Sequence, residues 1–201
     1  MSVVIIKYNA GNIQSVLYAL ERIGAEAVVT DDTIQIRQAD KVIFPGVGEA
    51  SSAMQYLRER MLDEVIKNLT QPLLGICLGM QLMCSYSSEN DTSCMNIFDV
   101  PVKRFVTNDS SVKIPQIGWN NIYDLKSALF NGVPENSFMY SVHSYYADIC
   151  DETIGTCNYI QPYSVGLWKN NFYGVQFHPE KSADAGEQIL KNFLSLPLNR
   201  L

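Results

Sequence analysis

Along the first half of the chain, short apolar runs alternate with stretches in which apolar residues recur every three or four positions. Residues 3–6 (V-V-I-I) form an unbroken apolar run, the pattern of a strand buried on both faces. Asn12 can cap a helix in which Ile13, Val16, Leu17, Leu20 and Ile23 share one face, and Gly24 is suited to end it. Residues 27–30 read as a second strand, followed by a polar stretch around Asp31 and Asp32. Residues 41–44 make a third run, which enters P-G-V-G at 45–48; Met54, Leu57, Met61 and Val65 then fit one helical face. Leu73, Leu74 and Ile76 form a fourth run behind Pro72, and helix formers follow at 80–83. This alternation predicts an α/β fold: a mostly parallel sheet flanked by helices, with ligands beyond the carboxyl ends of its strands.

From about residue 96 the runs shorten. Residues 98–106, 138–146, 153–160, 165–168 and 173–177 read as strands, with Asn170-Asn171 as a hairpin turn between the last two. A smaller antiparallel portion is expected in this half. A final helix over 185–196 carries Ile189, Leu190, Phe193 and Leu194 on its buried face. No linker, repeat or low-complexity tract interrupts the pattern, so one domain over 1–201 is expected.

Composition narrows the function. Hydrophobic residues make up 47% and charged residues 18%, with a net charge of -6, which argues against a phosphate-backbone partner. The apolar run before Lys7 is too short for a signal segment and no later run could span a membrane, so a cytoplasmic location is expected. The five cysteines (77, 84, 94, 150, 157) form no C-x-x-C and only two histidines exist, so neither a metal site nor a disulfide framework is expected.

Candidate chemistry lies at two places. The run 73–76 stops at G-I-C-L-G, where glycines at 75 and 79 permit a sharp strand-to-helix turn around Cys77. Unpaired N–H groups at the start of the helix favour a thiolate and a neighbouring oxyanion. A small buried cysteine between packing glycines is the alternative. The second place is G-V-Q-F-H-P-E-K at 174–181. Pro179 biases His178 toward extended backbone, in which His178 and Glu180 would project together. A carboxylate there fixes the imidazole tautomer and leaves the other nitrogen to exchange a proton with a thiol. Alone, the H-P-E run reads more readily as an exposed turn with a solvated glutamate. Beside an elbow cysteine, His178 becomes the natural base. His143, inside the run 138–146 with no carboxylate nearby, reads as structural.

Together with I-G-W-N (117–120) and V-H-S-Y-Y (142–146), these motifs resemble those of the class I (triad) glutamine amidotransferases, and among them the glutaminase-subunit family of imidazole glycerol phosphate synthase, from end to end of the chain. The resemblance implies Cys77 as nucleophile, His178 as general base and acid, and Glu180 as the residue orienting it. It implies an oxyanion hole from the backbone N–H of Leu78 and, after a peptide flip, of Val47. Glutamine would be held at Gly46, Gln81, Glu89, Ser144 and Tyr145; Glu89, in S-S-E-N-D, would not be selected without the resemblance. No metal or organic cofactor is implied. The implied partner is a (β/α)-barrel cyclase subunit of a histidine-biosynthesis heterodimer, which receives the ammonia. It would be met by the Gly11-Asn12 loop, Trp119, Asn120, Tyr140 and Lys181. Two departures from the family pattern, Gln116 and Ser141, fall in segments expected to face that partner. The competing readings are a paralogous glutaminase feeding another synthase (sugar amination, for instance), a catalytically silent regulatory scaffold, and a generic Cys-His hydrolase.

Overall fold

The protein is described by a computed structural model covering residues 1–9 and 12–198. Its first half runs β1 (Val3–Ile6), α1 (Ile13–Arg22), β2 (Val28–Thr30), α2 (Thr33–Gln38), β3 (Lys41–Gly46), α3 (Ala50–Glu59), α4 (Leu62–Lys67), β4 (Leu73–Cys77) and α5 (Leu78–Met83). Its second half runs β5 (Tyr86–Ser87), β6 (Thr92–Ser93), β7 (Pro101–Arg104), β8 (Gln116–Tyr123), β9 (Phe138–His143), β10 (Tyr145–Ala147), β11 (Thr153–Asn158), β12 (Pro162–Lys169), β13 (Phe172–Val175) and α6 (Ala183–Ser195).

The main sheet has the order β2-β1-β3-β4-β13-β12-β10-β7-β5-β6. Pairing is parallel from β2 through β13 and antiparallel from β13 to β7. Strands β8, β9 and β11 form a branch off this path. Side chains alternate across the parallel strands. Val4, Ile6, Val42, Phe44 and Leu73 pack against α2 to α5 on one face. Val3, Ile5, Ile43, Leu74 and Ile76 pack against α1 and α6 on the other. Burial on both faces is why these strands read as unbroken apolar runs. Truncating one such leucine or isoleucine to alanine typically costs about 2–5 kcal/mol.

Several elements differ from the sequence reading. The polar stretch at Asp31 and Asp32 opens into α2, because the Asp32 carboxylate accepts from the backbone N–H of Ile34 and Gln35 at 2.7 and 3.1 Å. The single helix expected through Met54 to Val65 is two helices. Met61 takes a left-handed backbone (φ 55°) and points into solvent, and the turn lets α4 bury Leu62, Val65 and Ile66. The run 138–146 breaks at Ser144, where the chain leaves its partner β8 and joins β7 and β12. The hairpin β5–β6 and the strand β8 were not anticipated. Asn12 precedes α1 but its side chain caps no helix N–H; its Oδ1 accepts from Ser15 Oγ at 2.8 Å. Among the described residues no helix is long and apolar enough to cross a membrane.

Candidate active site

Cys77 ends β4 and immediately precedes α5, with φ 54° and ψ -110°, a backbone that L-residues seldom adopt. What holds it is close packing of α5 on the sheet. A Cβ at Gly79 would overlap the carbonyl oxygen of Phe44 on β3, so only glycine lets the helix approach this near. The sulfur is buried, 3.9 Å from the Val142 carbonyl and 3.7 Å from Nε2 of Gln176.

β13 neighbours β4, and three residues past its end it delivers His178 to the same place. The ring is 4% exposed, and its Nδ1 lies 2.8 Å from Oε1 of Glu180. The carboxylate does not arrive by extended chain, as the sequence suggested. Pro179–Lys181 form one 3-10 turn, with proline at its first position, and the turn folds Glu180 back onto the ring. The His178 backbone N–H donates to the Tyr140 carbonyl at 2.9 Å, and its carbonyl accepts from Ser182 Oγ at 2.6 Å. Burial works against a charged ring. Hydrogen bonds to Cys77 and Glu180, and their negative charge, outweigh it and raise the His178 pKa to about 10. Among the described residues, the second carboxylate oxygen of Glu180 is buried with no hydrogen-bond partner.

A cavity of about 340 Å³ opens over Cys77, lined by Val47, Gly48, Leu78, Gln81, Glu89, Pro115, Val142, His143, Ser144, Tyr145, His178 and Lys181. Gln81 is buried, its Nε2 donating to the Tyr145 carbonyl at 3.0 Å and to Gln176 Oε1 at 2.9 Å. Glu89 projects from the β5–β6 turn and accepts from the Ala50 N–H, at the start of α3, at 2.8 Å. Half-burial raises its pKa. Gly46 is the exception among the anticipated glutamine-binding residues. It pairs with Cys77 across β3 and β4, and lies behind the cavity wall, where a Cβ would strike the Tyr8 hydroxyl and Leu78. His143 lines the cavity but is held by the Tyr145 carbonyl at 2.7 Å, and burial lowers its pKa to about 4, so it is neutral.

Of the anticipated interface residues, Trp119, Asn120 and Tyr140 lie on β8 and β9, Lys181 on the 3-10 turn after His178, and Asn12 just before α1. Trp119 is 53% exposed and meets the Tyr140 ring edge-on at 5.9 Å, with Lys181 Nζ 5.9 Å from that ring's centroid. Asn120 donates to the Asn158 carbonyl at 3.2 Å. Of the Gly11-Asn12 pair, Gly11 lies outside the described residues. The register puts Ile117 opposite Val142 and Asn121 opposite Phe138, on the same face as Trp119 and Tyr140. Ile117, Phe138 and Val142, all exposed, were not anticipated, although alternation along residues 116–123 signals such a face. Gln116 and Ser141 point the other way, at 3% and 2% exposure, so these departures alter the interior and not the outer face. Gln116 Oε1 accepts from the Tyr163 hydroxyl at 3.2 Å.

A buried thiol at a strand-to-helix elbow, facing a His–Glu pair from the adjacent parallel strand, is the arrangement of acyl-transfer enzymes with a cysteine nucleophile. The family model described as glutamine amidotransferase class-I matches residues 4–196, and the chain belongs to that family. The fold agrees. A solved glutamine amidotransferase aligns with a TM-score of 0.74 at 15% identity, covering 96% of this chain and 97% of the other. A putative GMP synthase protein from Thermoplasma acidophilum aligns with a TM-score of 0.72 at 19% identity, covering 96% and 92%.

Sequence relatives narrow the family to the HisH subunits of imidazole glycerol phosphate synthase. The HisH subunit of Bacteroides thetaiotaomicron is 56% identical over 196 residues, covering 98% of this chain and 100% of its own. That of Yersinia pestis is 44% identical over 198 residues, with the same coverage.

Proposed function

We propose that this chain is the glutaminase subunit of an imidazole glycerol phosphate synthase, hydrolysing L-glutamine and passing ammonia to a (β/α)-barrel cyclase subunit. The observation that carries the reading is the Cys77–His178–Glu180 cluster in a chain 56% identical to HisH subunits. The thiolate of Cys77 attacks the carboxamide carbon, and the tetrahedral oxyanion is held by the N–H groups of Leu78 and Val47. Imidazolium His178 protonates the departing ammonia, leaving a thioester. A water then gives its proton to His178 as it attacks, and glutamate leaves with return of the thiolate. Glu180 keeps the Nδ1 proton in place through both steps. The Glu89 carboxylate suits the α-ammonium of glutamine, and the backbone at Ser144 and Tyr145 supplies the remaining contacts. The whole chain acts as one amidotransferase domain. The exposed face of Trp119 and Tyr140, with Asn120 and Lys181 beside it, is the docking surface for the cyclase, and Asn12 is a further contact.

Co-purification with a candidate cyclase, with glutamate release measured for this chain by itself and in the complex, tests this. Failure to bind any cyclase alongside full activity toward another acceptor would redirect it to a paralogous synthase.

Two further outcomes are expected. Glu180→Gln should lower turnover by about 100-fold, because the neutral amide no longer stabilises imidazolium. Alkylation of Cys77 by a small reagent should persist in that variant, and parent-level turnover would remove Glu180 from the mechanism. In the parent, a glutamine-like electrophile should label Cys77 before the other four cysteines. Burial pushes the thiols of Cys84, Cys150 and Cys157 up, and that of Cys94 to about 12. Peptide mapping after limited labelling decides; even labelling across the five would count against the assignment.

A further inference from the structure

Gln176 joins Cys77 to Gln81, two residues that line the cavity, without lining it itself, and the acyl-transfer chemistry gives it no task. It is completely buried one residue past the end of β13, its backbone N–H donating to the Val165 carbonyl at 2.9 Å. Its side chain touches two residues of the site: Nε2 lies 3.7 Å from Cys77 Sγ, and Oε1 lies 2.9 Å from Gln81 Nε2.

The orientation of both amides follows from what surrounds them. The Tyr145 carbonyl can only accept, so the Gln81 atom facing it at 3.0 Å is the nitrogen. That same nitrogen faces Gln176, which therefore presents oxygen to Gln81 and its NH2 group to the sulfur. Reversing the Gln176 amide would set two NH2 groups against each other in a dry interior. Chemistry thus aims a permanent donor at Cys77.

The geometry points to Gln176 as a further catalytic residue: an N–H donor that holds charge on the Cys77 sulfur, braced by Gln81. This rests on Cys77 being the nucleophile. A thiol sulfur is a weak acceptor and a thiolate a strong one, so a fixed donor at this distance favours the charged form, and more so where water is excluded. His178 cannot do this throughout the cycle, because it gives its proton to ammonia and must recover one from water. Gln176 has no proton to lose. It serves the sulfur before attack and again when the thioester breaks and the sulfur leaves with the electron pair. Because Gln81 is its brace, the state of the sulfur and the ordering of the glutamine pocket are joined by one amide.

Two substitutions separate the donor from the brace. Gln176→Glu keeps an acceptor for Gln81 but turns an oxygen toward the sulfur. Gln176→Met keeps the volume and removes both functions. Iodoacetamide alkylation of Cys77 at neutral pH should slow roughly 10- to 100-fold in each, the scale of a hydrogen bond to a charged group. The kcat for glutamine in the cyclase complex should fall with it. KM should stay within about threefold in Gln176→Glu and rise further in Gln176→Met, where Gln81 loses its brace. Thermal melts identify a variant that fails to fold, and the other then carries the test. Alkylation and kcat at the parent level in a folded variant would overturn the proposal. Cys77→Ala is the control: if it still turns over glutamine, the nucleophile assignment itself has failed, whereas parent-level activity confined to the Gln176 variants removes only the donor role.

Discussion

Cys77→Ser is expected to reduce glutamine hydrolysis by about 1,000-fold or more, because a nucleophile and its base act as one unit. The reason lies in the proton balance. In the parent, the Cys77 sulfur and the Glu180 carboxylate outweigh burial and leave His178 charged, with a pKa of about 10. The imidazole therefore rests protonated, ready to give its proton to the departing ammonia. A serine hydroxyl does not ionise under the same conditions, and an imidazole tuned to hold its proton still has to remove one in the transition state. The backbone at residue 77 is held by the packing of Gly79 against Phe44, not by the sulfur, so the fold survives the exchange. Glutamate release followed alongside a thermal melt checks both halves. A folded serine variant at the parent rate would show that the nucleophile lies elsewhere.

The second large effect is expected at Val47. This residue is 41% exposed at the mouth of the cavity, between Gly46 and Gly48, the latter at φ 119°. Glycine on both sides allows the peptide to turn over at little steric cost. A ligand on the partner can shift that equilibrium only by contacting the two states differently. The isolated chain is therefore expected to hydrolyse glutamine poorly, and the complex with a liganded cyclase to be stimulated by about 100- to 1,000-fold, the value of one oxyanion donor. Val47→Pro removes the N–H in question, so stimulation should disappear. Complex formation should remain, because the β8–β9 face is untouched. An isolated chain that already works at the full rate of the liganded complex would end the gating account.

How far the sequence disclosed these features depends on which force shaped each one. The parallel strands were legible at Val3–Ile6, Lys41–Gly46 and Leu73–Cys77, because burial on both faces leaves a run of apolar residues, interrupted only at its edge by Lys41. The break at Met61 was not, since apolar spacing continues through it and only the packing of α4 sets the turn. The strand break at Ser144 was hidden for a similar reason: pairing partners are a tertiary matter. Cys77, His178 and Glu180 stood out because glycines and a proline flank them. Glu89 emerged only through family resemblance, and its contact with the Ala50 N–H is invisible in S-S-E-N-D. Gln176, inside an apolar strand run, carried no local signal; its meaning comes from β4 lying beside it.

The left-handed backbone at Cys77 also bears on how such a chain can age. A residue held at φ 54° costs on the order of 1–3 kcal/mol, which glycine would not incur. At this one position the mutation that silences the enzyme is also one that relaxes it. Neutral drift in a lineage that no longer needs the reaction is therefore biased toward a sturdier, inert descendant, one that keeps the sheet, the cavity and the exposed β8–β9 face after the chemistry is gone.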